Sequence, residues 1–171
     1  MSGTPFALAH REGEPLWFNH DLLVFRATSR QTDGAFILFE QTSQRGKTTP
    51  LHRHAEDETF YVLEGELVVH IDGADYPGKP GSIIFVPRGA PHAFLVTSDL
   101  FRGLILFTPG SEACEGWFRA AGDPALAHEL PEPGPPDVAR LQAAAQQYNV
   151  EILGPPPFAT DVARESLPTG G

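Results

Sequence analysis

The sequence has few cysteines, few basic residues and no long apolar runs, and each shortage excludes a class of protein. Cys114 is the single cysteine among 171 residues, so the chain cannot form an internal disulfide. Lys and Arg number 12 against 22 Asp and Glu, and the net charge of −10 argues against nucleic acids and anionic membranes as partners. The same charge disfavours large anionic substrates.

Targeting signals are missing as well. No apolar run approaches the ~20 residues that a membrane-spanning helix needs. Residues 1–5 lack the basic start and the apolar core of a signal peptide. We therefore expect a cytoplasmic protein that contacts neither membrane nor nucleic acid.

Glycine and proline are abundant instead, with 17 of each, which is typical of short strands joined by tight turns. Apolar and β-branched runs alternate with turn signals such as Asp72-Gly73 across about residues 16–108. This pattern predicts an all-β sandwich or barrel. Apolar residues dominate residues 82–86, which predicts a strand buried on both faces.

The character of the chain changes after Pro109. Ser111 is a candidate cap for a short helix that contains Trp117 and Phe118, a proline-rich connector covers residues 131–136, and a second helix is expected over residues 137–148. We therefore divide the chain into residues 1–108, the N-terminal strands and barrel, and residues 109–171. The second part is predicted to be a helical, proline-rich extension packed on the barrel.

The chemistry is concentrated in residues 46–65, where two histidines stand one residue apart. His52 and His54 share a face if the segment is a strand, roughly 6.6 Å apart along the backbone. Two imidazoles at that spacing can converge on one metal ion at ~2.0–2.1 Å each. Glu58 has the same parity, and His92 begins a later extended run. We expect these four residues to be metal ligands.

Two stretches resemble the cupin family. The first fits the pattern G-x5-H-x-H-x3-E-x6-G, and the second fits G-x5-P-x-G-x2-H-x3-N except at its last position, where Val96 replaces an Asn that is not a metal ligand in the family. The matching residues are Gly46, His52, His54, Glu58, Gly65, Gly81, Pro87, Gly89 and His92. The resemblance implies a jelly-roll β-barrel, here with a short C-terminal helical extension, and a metal held by three His and one Glu.

The expected ligand set suits several divalent ions, and the sequence does not choose among Fe, Mn, Ni, Co, Cu and Zn. One or two open positions on the metal would bind substrate or dioxygen. The predicted pocket is lined by strand residues that lie on the same face as the ligands, and residues of the C-terminal extension are expected to cover it. These residues are Phe60, Val62, Phe94, Val96, Trp117 and Phe118. Few charged residues besides Glu58 are expected on this face, which favours an apolar or aromatic small molecule.

The segments H-R-H-A-E-D-E-T-F-Y-V-L-E-G-E-L and F-V-P-R-G-A-P-H-A-F look like those of quercetin 2,3-dioxygenases. This resemblance implies that the enolic oxygen of the substrate binds the metal, that Glu58 accepts the enolic proton as the catalytic residue, and that the ring opens with release of carbon monoxide. Two alternatives remain open. One is a non-oxidative metal-dependent lyase, cyclase or isomerase acting on a small molecule, and the other is a small-molecule-binding cupin without catalysis.

A homodimer is also expected. Small cupins often pair through sheet faces or exchanged N-terminal strands, and Leu16-Trp17-Phe18 is an apolar segment near the N-terminus that could serve.

Overall fold

The structure is a computed structural model that describes residues 3–10 and 12–158. Two antiparallel sheets enclose one apolar core, which confirms the predicted all-β jelly-roll class. The strands are β1 (Glu14–Phe18), β2 (Asp21–Ala27), β3 (Ile37–Gln44), β4 (Leu51–Arg53), β5 (Asp57–Glu64), β6 (Leu67–Ile71), β7 (Ala74–Gly78), β8 (Ile83–Val86), β9 (His92–Val96), β10 (Leu100–Thr108), β11 (Gly122–Pro124) and β12 (Glu151–Gly154). The helices are α1 (Glu112–Ala121) and α2 (Val138–Gln147).

The larger sheet has the strand order β11-β1-β2-β3-β10-β5-β8, and the smaller has the order β12-β4-β9-β6-β7. β11 and β12 follow residue 108, so the extension contributes an edge strand to each sheet. The division of the chain at residue 108 remains an interpretation, and residues 159–171 of the proposed extension lie outside the described residues.

The core is built from aromatic side chains on alternate strand positions. In β3 the inward residues include Ile37 and Phe39, which are 0% and 2% exposed. The Phe39 ring lies 5.7 Å from those of Phe25 and Phe107 and 5.1 Å from that of Phe118. Phe118 belongs to α1, so this cluster fastens the first helix to the barrel. Truncating one such Phe to Ala typically costs ~3–5 kcal/mol.

β8 departs from its predicted burial. Ile84 and Val86 face the core, but Ile83 and Phe85 are 68% and 55% exposed. The expectation of burial on both faces was wrong because β8 ends the larger sheet, and the described part of the chain leaves its outer face open to solvent. An apolar sequence run alone does not tell an edge strand from a central one.

The first helix of the extension begins at its predicted cap, Ser111, and the second is capped by Asp137, the first residue of its predicted range. The hydroxyl of Ser111 accepts a hydrogen bond from the Cys114 amide at 2.9 Å, and the Asp137 carboxylate accepts one from the Arg140 amide at 3.0 Å. Each satisfies a backbone donor that the first turn of a helix leaves unpaired.

The segment proposed for dimer contacts lies within its own barrel. β1 pairs with β2 and β11, and Leu16 and Phe18 are buried in the core. The homodimer remains a prediction. No helix among the described residues has the length and apolar character needed to cross a lipid bilayer.

Candidate metal centre

Both sheets contribute side chains to the centre. His52 lies on β4 directly opposite His92 on β9, and His54 follows β4 by one residue. Glu58 comes from β5 of the other sheet. The imidazole ring centroids of His52 and His92 are 4.2 Å apart, and those of His54 and His92 are 4.9 Å apart. The fold therefore brings the four predicted ligands together between the sheets.

The distances between these groups fit a single ion. Ligand nitrogens of His52, His54 and His92 all lie within 4.8 Å of one another. One oxygen of Glu58, Oε2, lies 3.2 Å from His54 Nε2 and 3.0 Å from His92 Nε2. Donor atoms in adjacent positions on one ion, each ~2.0–2.2 Å from it, are separated by roughly 3 Å. The donor set suits a divalent transition metal.

Backbone carbonyls orient two of the imidazoles. Nδ1 of His52 donates to the carbonyl oxygen of Pro50 at 2.9 Å, and Nδ1 of His92 donates to that of Ala90 at 2.9 Å. These bonds direct both Nε2 atoms into the site, which is a common way of fixing metal-binding histidines.

A carboxylate that the sequence did not suggest stands behind His54. Oε2 of Glu56 lies 3.6 Å from His54 Nδ1, and the other oxygen of Glu56 accepts a hydrogen bond from the Ser111 hydroxyl at 2.6 Å. Glu56 is 8% exposed. A carboxylate so placed can steady the ring of a ligating histidine. The sequence offered one signal for Glu56, namely its position close to the two motif histidines.

Burial and neighbouring charges set the ionisation of the site. Burial, together with the charge of His92, lowers the pKa of His52 to about 3, so His52 is neutral, as a metal ligand must be. Burial acts to raise the pKa of Glu58, but hydrogen bonds from His54 and His92 outweigh it and leave that pKa below its ordinary value. Burial acts to lower the pKa of His92, but the hydrogen bond to Glu58 outweighs burial, so the pKa of His92 lies above its ordinary value.

The centre opens into a narrow cavity of about 50 Å³. Four of the six predicted pocket residues line it, namely Phe60, Phe94, Trp117 and Phe118. Val62 and Val96 are fully buried elsewhere in the core and are not among the lining residues. The aromatic wall also includes side chains that the sequence did not single out, which are Phe18, Phe39, Phe107 and Tyr148.

The cavity is more polar than expected, and the prediction of few charged residues besides Glu58 was wrong. Asp21, Gln41, Lys47 and Glu56 also line it. Strand parity could have identified Gln41 as a cavity residue, because it lies on the same inward face of β3 as Phe39. Asp21 starts a strand and Lys47 lies between strands, where parity gives no indication of direction.

Comparisons with known proteins agree with this architecture. A family model described as the cupin domain matches residues 39–107. Quercetin 2,3-dioxygenase of Bacillus subtilis is 29% identical over 153 residues, which cover 88% of this chain and 45% of that protein. An uncharacterized protein of Streptomyces coelicolor is 31% identical over 86 residues, 45% of this chain and 82% of that one.

The fold has solved counterparts. The crystal structure of an RmlC-like cupin from Shewanella frigidimarina matches with a TM-score of 0.55 and 18% identity, over 66% of this chain and 97% of that chain. The chain spans less than half the length of the Bacillus subtilis protein.

Proposed function

Because this chain belongs to the cupin superfamily, we propose that it is a metal-dependent dioxygenase of the quercetinase type, cleaving a flavonol or a similar enolisable aromatic substrate. The observation that carries the proposal is a cluster of three buried imidazoles and the Glu58 carboxylate at the end of a cavity with aromatic walls. Similarity to a quercetin 2,3-dioxygenase over 88% of the chain supports it.

His52, His54, His92 and Glu58 are the residues that would hold the metal. A divalent ion in such a site would supply Lewis-acid chemistry to an oxygen of the substrate, and a redox-active ion would supply redox chemistry as well. The donor set is compatible with Fe, Mn, Ni, Co, Cu or Zn.

Glu58 is proposed as the base that accepts the enolic proton. With a metal bound, the cation would keep the Glu58 carboxylate charged and make it a weak base. Once the carboxylate is released from the cation, burial in an aromatic cavity would raise its affinity for a proton. The enolic proton then passes to the Glu58 carboxylate, dioxygen is consumed, and the ring opens with release of carbon monoxide.

The extension closes the cavity in this proposal. Trp117, Phe118, Tyr148 and Val150 all line it and all follow residue 108. A space of about 50 Å³ is small beside the ~300–1,000 Å³ of most small-molecule sites. Entry of an aromatic substrate therefore requires outward movement of this wall, and closure over the substrate would exclude water.

Replacing Trp117 by Ala tests this closure. The indole contacts the rings of Phe18 and Phe118, at centroid distances of 5.2 and 4.8 Å. We expect the variant to bind quercetin at least ~10-fold more weakly and to unfold at lower temperature, because both the wall and its packing are lost. Calorimetric titration under nitrogen and thermal unfolding measure the two effects.

Trp17 provides the matched control. Its indole Nε1 donates to the carbonyl of Glu129 and it does not line the cavity. Trp17→Ala should lower stability without changing quercetin affinity. A Trp117→Ala protein that binds quercetin as tightly as wild type would show that α1 is only a support of the barrel wall.

The proposed activity is tested directly with metal-loaded protein and quercetin in an oxygen electrode. We expect uptake of one dioxygen and release of one carbon monoxide for each quercetin consumed. Conversion of an enolisable substrate without oxygen uptake would favour the lyase, cyclase or isomerase instead. Binding without turnover would favour a binding protein.

A further inference from the structure

The cavity has a second polar cluster, at a distance from the metal centre and unused by the chemistry proposed above. It consists of Asp21 at the start of β2, Gln41 on β3 and Lys47 between β3 and β4. Phe107 on β10 pairs with Ile37 on β3 and with Glu58 on β5, so Ile37 and Glu58 lie at the same level along the strands. Gln41 is four residues further along β3, so the two polar ends are separated by roughly 13 Å along the strands.

Asp21 is buried and only half satisfied. It is 2% exposed. Its Oδ2 lies 3.4 Å from Gln41 Nε2 and 3.7 Å from Lys47 Nζ, while its Oδ1 has no hydrogen-bond partner among the described residues. A buried carboxylate oxygen without a donor is costly, and burial raises the pKa of Asp21 to about 6.

Unpaired atoms concentrate around this cavity. Within residues 3–10 and 12–158, four buried side-chain polar atoms have no hydrogen-bond partner, and all belong to residues that line it. The four atoms are Asn19 Oδ1, Asp21 Oδ1, His54 Nδ1 and Trp117 Nε1. Unpaired buried groups are uncommon in folded proteins. Because Glu56 already stands beside His54 Nδ1, the two acceptor oxygens of Asn19 and Asp21 are the atoms that a hydrogen-bond donor of a ligand could complete at this end of the cavity.

We propose that Asp21, positioned by Gln41 and Lys47, is a specificity subsite that accepts a hydrogen bond from a hydroxyl of the substrate remote from the metal-binding oxygen. The inference rests on the proposed function, because it assumes a substrate held by the metal centre at its other end. The aromatic side chains between the two ends pack against the ring system.

The partners of the cluster define what it accepts. Lys47 Nζ donates a hydrogen bond to the backbone carbonyl of Asn19 and forms an ion pair with Asp21, so its charge is already balanced by the Asp21 carboxylate. Asp21 Oδ1 and Asn19 Oδ1 are both acceptors. The subsite therefore selects a donor such as a phenolic hydroxyl and rejects a carboxylate or phosphate, which would meet the Asp21 charge.

Two flavonols that differ only in remote hydroxyls test the subsite: quercetin, and 3-hydroxyflavone, which has the enolic hydroxyl alone. Both are titrated calorimetrically into metal-loaded protein under nitrogen. Wild type should bind quercetin roughly 10- to 100-fold more tightly, the size expected of a hydrogen bond to a charged group. Asp21→Asn should lose most of that preference and keep its metal.

Asp99→Asn is the control, since Asp99 pairs with Arg45 at the surface and is far more exposed than Asp21. If Asp21→Asn fails to fold, the double variant Asp21→Asn with Lys47→Met removes both charges at similar volume. Equal affinities for the two flavonols in wild type, or an equal loss for both in the variant, would overturn the subsite and leave the metal function standing.

A second arm does not depend on flavonols. Crystals of the metal-loaded protein are soaked in 4-methylphenol, and the positions of its oxygen are compared between wild type and Asp21→Asn. We expect an oxygen within about 3 Å of Asp21 Oδ1 in wild type and none there in the variant. If neither flavonol binds but this contact forms, the proposed function fails and the subsite survives. If no phenol oxygen approaches Asp21, the subsite is wrong.

Discussion

The His92→Ala protein is expected to lose metal affinity by ~100-fold or more, and His52→Ala to behave alike. Changes in the groups that merely orient a metal ligand already cost 10- to 100-fold, so removal of a ligand costs at least the upper end of that range. His52 and His92 face each other across β4 and β9, and each has Nδ1 engaged by a carbonyl.

Elemental analysis after dialysis against a weak chelator measures the effect. His70→Ala is the control, because His70 lies on β6 and pairs with Asp75 at 2.6 Å, away from the centre. The control should retain the wild-type metal content. Full occupancy in both His52→Ala and His92→Ala would contradict the assignment of the centre.

Glu58→Gln should separate the two tasks assigned to that residue. Three imidazoles remain, so metal binding is expected to survive in part. Turnover per bound metal should fall by ~10²–10⁴-fold, the contribution typical of a general base, since an amide cannot accept the enolic proton. Metal content and initial rate are measured on the same protein sample.

Glu64→Gln is the matched control, because Glu64 ends the same strand and its side chain is 55% exposed beside Arg102. It should leave both quantities unchanged. A Glu58→Gln protein whose rate per bound metal equals wild type would reduce Glu58 to a replaceable ligand and would favour a binding or Lewis-acid role for the barrel.

The grouping of the four candidate metal ligands could be predicted because its signal is local. Strand parity aligns His52 with His54, and motif spacing identifies Glu58 and His92. The same parity argument also selected Val62 and Val96, which do face inward but fill the core away from the cavity. Parity predicts which face of a strand a side chain lies on. It does not predict how far the cavity extends along that face, because that depends on packing against the other sheet.

The polar cluster could not be predicted in the same way. Asp21 and Lys47 are far apart in the sequence and meet only because β2 and β3 pair and the chain returns beside them. Likewise, the exposure of Phe85 depends on which strand ends the larger sheet. Both features arise from the order of strands in space, which local composition does not encode.

The pairing of β12 with β4 has a consequence for energetics. Ile152 lies opposite His52, and Glu151 accepts a hydrogen bond from Arg53 at 2.7 Å, so β12 is joined to the three-residue strand that carries a candidate metal ligand. Release of β12 would leave β4 supported on one side alone. If His52 binds a metal, metal binding and the docking of β12 are expected to be coupled, and each would then stabilise the other by the same free energy.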